Sequence, residues 1–227
     1  MRYLYVLAIL WLALPGCIGA QKYGQYVTKY AREQLDTSHY QTKGVLKVNS
    51  DIADSVTPAI AHTTEGRSYF IPAILYWGIM ESYNCELNQR LPVNIFKKTC
   101  DEMIDPEFFS GKFKDDSLDL TITSLPTKFR YSDKGYSVVM IFFVFHLYVQ
   151  AMIPTPDNLS VSYKLHRNGV LDKQGYISVK NWDKPLINNR ASTKKITKLY
   201  LAQYKTQMHE LSAKCLQQLG EELKAPK

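Results

Sequence analysis

At 227 residues the chain can bury a core of ordinary size, and 45% hydrophobic against 22% charged residues exclude a disordered polymer. The net charge of +7 comes from 28 basic and 21 acidic side chains, with 12 Lys/Arg against 14 Asp/Glu as far as Thr127 and 16 against 7 beyond it. A basic second half suits anionic headgroups, an acidic partner or nucleic acid, or is simply a solvated helix face. No arginine cluster or RNP-like aromatic motif accompanies it, so nothing in the sequence supports nucleic acid.

The chain opens with MRYLYVLAILWLALPGC, in which Arg2 precedes an apolar run from Tyr3 to Pro15 and small residues follow at Gly16, Gly19 and Ala20. A basic start, an apolar segment short for a bilayer and a small-residue exit are the anatomy of a signal peptide over residues 1–20. Two cuts compete. Leu14-Pro15-Gly16-Cys17 matches a bacterial lipobox at Leu14 and Gly16 and departs from it at Pro15, and it would make Cys17 a diacylglycerol-bearing first residue. The other cut follows Ala20. Several acyl chains, at about 0.8 kcal/mol per buried methylene, anchor a protein effectively for good. Either cut exports the chain and leaves Cys85, Cys100 and Cys215. In an oxidising compartment Cys85 and Cys100 can pair, closing a loop of about fifteen residues worth about 3 kcal/mol. Three unpaired core thiols are the equal alternative.

Residues 21–42 read as a polar tether with room for a short helix, 43–220 as one α+β domain, and 221–227 as a tail. Gly44-Val-Leu-Lys-Val-Asn has the pattern of a first strand. The run from Ser68 to Met80 reads as a buried strand or pair of strands, with Pro72 marking an edge or bulge. A helix follows from Leu91 to Ile104, opened by Pro92, with Val93, Phe96, Cys100 and Ile104 on one face. Ser117 to Leu125 alternates, with Leu118, Leu120 and Ile122 inward, and Lys128 to Tyr131 forms a short strand.

No charge occurs between Lys134 and Asp157. A membrane helix over 135–156 is one reading, but the β-branched and aromatic content and the period of two favour one long central strand, with His146 a core histidine. Asn168-Gly169 between alternating segments predicts a type I′ hairpin. From Ser192 the spacing of Tyr200, Leu201, Tyr204, Met208, Leu211, Cys215 and Leu219 predicts a long helix, with Gly220 as a cap and lysines on its other face. The fold class is therefore α+β, one domain, mostly antiparallel, with a short middle helix and a long C-terminal helix.

Motifs for chemistry are missing. No HExxH or CxxC suggests zinc, no GxSxG a hydrolase elbow, and no GxGxxG or Walker pattern a phosphate site. Asp101-Glu102 and Asp115-Asp116 lie in polar stretches where solvation suffices, and His209-Glu210 reads as surface. No catalytic residue, cofactor or metal is expected.

In outline the chain resembles the small envelope lipoproteins accessory to ABC-type transport or outer-membrane assembly. Arg67-SYFIPAILYWGIMESYNCELN followed by LPVNIF is similar to a group of uncharacterised exported proteins of Gram-negative bacteria with a recurring FIP, YWG and C-x-LN pattern. The resemblance covers residues 43–220 in outline, is specific only around YWG, and brings no catalytic residue. It implies a non-enzymatic cell-envelope lipoprotein facing the periplasm through Cys17, an accessory or binding subunit for a partner protein or an amphiphilic ligand. Lys194, Lys195 and Lys198 are then the expected contacts to an anionic surface. The alternative is a secreted hydrolase or carbohydrate-binding protein, soluble in the periplasm or outside, with Tyr76-Trp77 stacking on sugars.

Overall fold

Alternating apolar segments and helical stripes divide the chain into nine strands and three helices among the described residues. The computed structural model describes residues 19–35, 40, 42, 46–51, 59–72, 75–104, 117–139, 144–181, 184–188 and 192–224. In chain order the elements are α1 (Ala20–Gln34), β1 (Leu46–Ser50), β2 (Ile60–Ile71), β3 (Tyr76–Glu86), α2 (Arg90–Met103), β4 (Ser117–Ser124), β5 (Lys128–Val139), β6 (Val144–Pro154), β7 (Leu159–Arg167), β8 (Val170–Val179), β9 (Leu186–Asn188) and α3 (Thr193–Lys224). This is the expected α+β class, with the short middle helix and the long C-terminal one.

Two sheets share one core. The first has the order β1-β4-β7-β8, with β1 parallel to β4 and the other pairs antiparallel. Its strands alternate as expected, so Leu118, Leu120, Ile122, Val161, Tyr163 and Leu165 are buried. The hairpin between β7 and β8 turns through Asn168 at φ 49° and Gly169 at φ 77°. Those are the two positive values a type I′ turn demands and that Asn and Gly tolerate best. The second sheet is wholly antiparallel, in the order β2-β3-β5-β6-β9.

The helices cover only part of the second sheet. On α3 the residues Ile196, Tyr200, Leu201, Tyr204, Met208, Leu211, Cys215 and Leu219 are buried, as their spacing predicts, and the helix runs through Gly220 rather than stopping there. The segment expected as a tether is instead α1, whose Tyr23, Val27, Tyr30, Ala31 and Leu35 enter the core. Apolar residues at those intervals form a helical stripe, hidden in the sequence because tyrosines carry much of it. The Tyr23 ring stacks on Tyr131 at 4.6 Å and on Tyr83 at 5.4 Å, and its hydroxyl reaches Thr197 Oγ1 at 3.2 Å. Such aromatic pairs add about 0.5–1.5 kcal/mol each beyond their burial.

Two further expectations change. The charge-free run is neither one long strand nor a helical span: the chain reverses between Val139 and Val144, which pair across β5 and β6. Period-two alternation runs straight through that reversal, and no Gly, Pro or Asn marks it. The run from Ser68 to Met80 is a hairpin, β2 against β3, but its outer strand is exposed along almost its whole length instead of buried.

Candidate functional site

Strands β2, β3, β5 and β6 continue beyond the helices as a four-stranded blade. Residues directly opposite one another in register share a face, and successive rows alternate faces. The outermost row to span all four strands is Ile71, Tyr76, Val138 and Phe145; behind it come Phe70, Trp77, Ser137 and His146, then Tyr69, Gly78, Tyr136 and Leu147. Next is Ser68, Ile79, Gly135 and Tyr148, and then the first row with charges, Arg67, Met80, Lys134 and Val149.

One face carries a tyrosine cluster. The Tyr69 ring lies over Gly78, where an added Cβ would stand 2.3 Å from Tyr69 Cζ. From there its hydroxyl meets that of Tyr76 at 3.3 Å, and Tyr76 lies 6.1 Å from Tyr136 between ring centres. The hydrogen bond to Tyr76 holds the Tyr69 phenol above its ordinary pKa. On the other face Phe70 meets Trp77 edge-on at 6.3 Å, and Tyr148 covers Gly135 while stacking beside His146 at 6.0 Å. His146 is exposed, not a core residue, and its Nδ1 pairs with Ser137 Oγ at 2.8 Å. A large ring laid across a glycine on a neighbouring strand is a known way of restoring a sheet surface.

The blade is rooted by polar side chains on its helix-facing side. The Tyr83 hydroxyl donates to Glu81 Oε2 at 2.7 Å and the Tyr131 hydroxyl to Asp133 Oδ2 at 2.9 Å. Gln150 Nε2 donates to the same carboxylate at 3.1 Å, and Tyr131 also meets Thr193 Oγ1 at 3.1 Å in the first turn of α3. Burial, more than the nearby Asp133 charge, pushes the Tyr131 phenol well up. On the opposite side Arg130 bridges Glu65 at 3.2 Å and donates to Ser82 Oγ at 3.3 Å.

The end of the β2–β3 hairpin is strained. Leu75 adopts φ 45°, its N–H donates to the Pro72 carbonyl at 3.3 Å, and its side chain is 49% exposed. Non-glycine residues seldom sit there, because Cβ crowds the following carbonyl.

An open cleft of about 460 Å³ lies on the tyrosine face near the root, lined in part by His62, Asn84, Glu86, Lys128 and Arg130. Glu86 is the one carboxylate among its lining residues. Among the described residues no three His, Cys, Asp or Glu side chains gather as a metal site would require, and no helix is long and apolar enough to cross a membrane.

The residues singled out in the sequence fall in separate places. Cys17 and Asp115-Asp116 lie outside the described residues. Cys85 and Cys100 are not paired: both are free and buried, as is Cys215. Cys85 sits on β3, its Sγ directed to the Tyr83 carbonyl at 3.8 Å, whereas Cys100 lies on α2, where burial first and Cys215 of α3 second raise its thiol pKa. Strand and helix each put their cysteine into the core, and sequence spacing does not report that direction. Lys194 and Lys198 lie over the Tyr26 and Tyr30 rings at 5.3 and 4.7 Å, and Lys198 also meets Glu33 at 3.6 Å. Lys195, between them, is exposed. His209 is at the surface, 3.0 Å from Glu102, and Asp101 accepts from the Tyr40 hydroxyl at 2.7 Å. Tyr76 and Trp77, being consecutive on a strand, point to opposite faces and make no common stacking platform.

Sequence reasoning missed Tyr69, Phe70, Phe145 and Leu147 as surface residues. The available signal was a pair of apolar runs, each bounded by charges, with a hairpin's worth of residues in each. Comparison with protein-family models, with curated proteins and with solved structures finds no match.

Proposed function

We propose that the chain is a non-enzymatic cell-envelope lipoprotein, held by Cys17 and facing the periplasm, and that its blade is the contact surface of a binding or accessory subunit. The observation that carries this reading is the exposed apolar end of the blade: Phe70, Phe145 and Leu147 are 54%, 60% and 59% exposed. Large apolar patches on exported domains mark sites that meet another protein or an amphiphile. The leader with Cys17 supports the compartment.

Intact mass of the protein recovered from bacterial membranes tests the anchor. A mass beginning at Cys17 with acyl chains, absent in Cys17→Ser, is expected. A soluble chain beginning at Gln21 would sink the lipoprotein reading.

A further inference from the structure

We propose that the end of the blade inserts edge-on into the headgroup boundary of a lipid bilayer. The inference rests on the envelope reading and names the surface that the blade meets.

The two faces are apolar at the same depth. Phe70 is 54% exposed on one face, and Ile71 and Phe145 are 44% and 60% exposed on the other. A second copy or a protein partner laid against a sheet covers one face. A bilayer entered end-on surrounds both.

Polarity is also graded along the strands. The outermost four-stranded row holds Ile71 and Phe145 together with Tyr76; behind it come Phe70 and Trp77, then Tyr69, Tyr136 and Leu147, and further back Arg67 and Lys134. The basic collar lies four residues along the strands from that row, about 13 Å at strand spacing. Apolar side chains mixed with amphipathic rings first, then cations facing anionic phosphates, is the order of a membrane–water boundary.

The strained turn points the same way. Leu75 keeps an exposed apolar side chain at φ 45°, where the β7–β8 hairpin uses Asn168 and Gly169 at its positive-φ positions. Depth is limited by the backbone: among the described residues β9 pairs only with Gln150–Met152, so the outer half of β6 is a sheet edge, as is β2. Unpaired edge groups are not tolerated in hydrocarbon, which confines the blade to the outer roughly 5–10 Å.

Trp77, in the second row, is the reporter. The full chain is mixed with vesicles of equal parts phosphatidylcholine and phosphatidylglycerol, the former brominated at shallow or deep acyl carbons. Trp77 emission is taken as the difference between the unmodified chain and Trp77→Phe. The expected result is a blue shift, with stronger quenching by shallow than by deep bromines. Phe70→Ser with Phe145→Ser should raise the lipid needed for half-quenching roughly tenfold, and an unchanged melting temperature shows that the fold is kept. Arg67→Glu with Lys134→Glu, which spares the apolar rows, should weaken quenching on these anionic vesicles. A chain that sediments with vesicles while Trp77 stays unquenched overturns the proposal and leaves the lipoprotein reading standing. A blue shift that needs protein concentration and no lipid also overturns it, in favour of a second copy. Quenching of Trp77 in a chain that carries no acyl group supports insertion while removing the anchor.

Discussion

Tyr69 and Gly78 are one structural unit: the ring of the first occupies the space that a side chain on the second would need. Gly78→Ala should therefore destabilise the protein by about 1 kcal/mol, because the ring must leave its place and its bond to Tyr76. In a Tyr69→Ala background the same change should be neutral or stabilising, since alanine in a strand avoids the entropy glycine loses, about 0.5–1 kcal/mol. Denaturant unfolding of the four chains measures the cycle. Additive single-mutant effects would refute the pairing.

Leu75→Asn should stabilise the isolated protein by about 1 kcal/mol, because asparagine tolerates the left-handed region better than leucine. The same variant should bind vesicles more weakly than the unmodified chain. Stability and binding moving in the same direction would contradict a strained turn kept for contact.

The three thiols should be inert while the protein is folded. Burial pushes Cys85 and Cys215 up to about 12, and Cys100 is raised as well by burial and then by Cys215. An unfolded thiol titrates at about 8.5. The folded state thus favours the protonated form, and its advantage is whole below that value and disappears as pH rises toward the folded one. Stability should fall with pH between roughly 9 and 12, and alkylation at mildly alkaline pH should require unfolding. Ready modification of Cys85 in the native protein would show that β3 opens.

Lysine reversals at the start of α3 should separate two roles. Lys195→Glu should leave stability within about 0.5 kcal/mol, as exposed substitutions do. Lys198→Glu should lower it by about 1 kcal/mol, having lost the Tyr30 ring and reversed the charge opposite Glu33. Melting curves of the two variants test the difference. Equal losses would mean that the contacts between α1 and α3 are not what hold the helix start.

Much of the fold was readable because local patterns and tertiary burial agree. Leu118, Leu120 and Ile122 alternate and are buried; Asn168-Gly169 turns; the α3 stripe from Tyr200 to Leu219 lies in the core. The blade was not readable for a physical reason. Alternation of Phe145, Leu147 and Val149 signals a strand face but not which solvent that face meets, and apolar residues at the end of an extended sheet look like core. The reversal between β5 and β6 was hidden because its flanking residues continue the alternation. In sequence Tyr23 and Tyr30 look like part of a polar tether, although a tyrosine ring packs like any aromatic once its hydroxyl has a partner.

The strands of the blade do not end where the core begins. Tyr83 and Tyr131 belong to the same β3 and β5 that carry Trp77 and Tyr136 outward, and both rings bear on Tyr23 of α1. The sheet is thus a lever with its fulcrum at that stack: a tilt imposed on the far rows is felt first by the helix that follows Cys17 in the chain. Outer rows and α1 therefore answer to one aromatic stack, Tyr23 on Tyr83 and Tyr131, and a change in that stack bears on both.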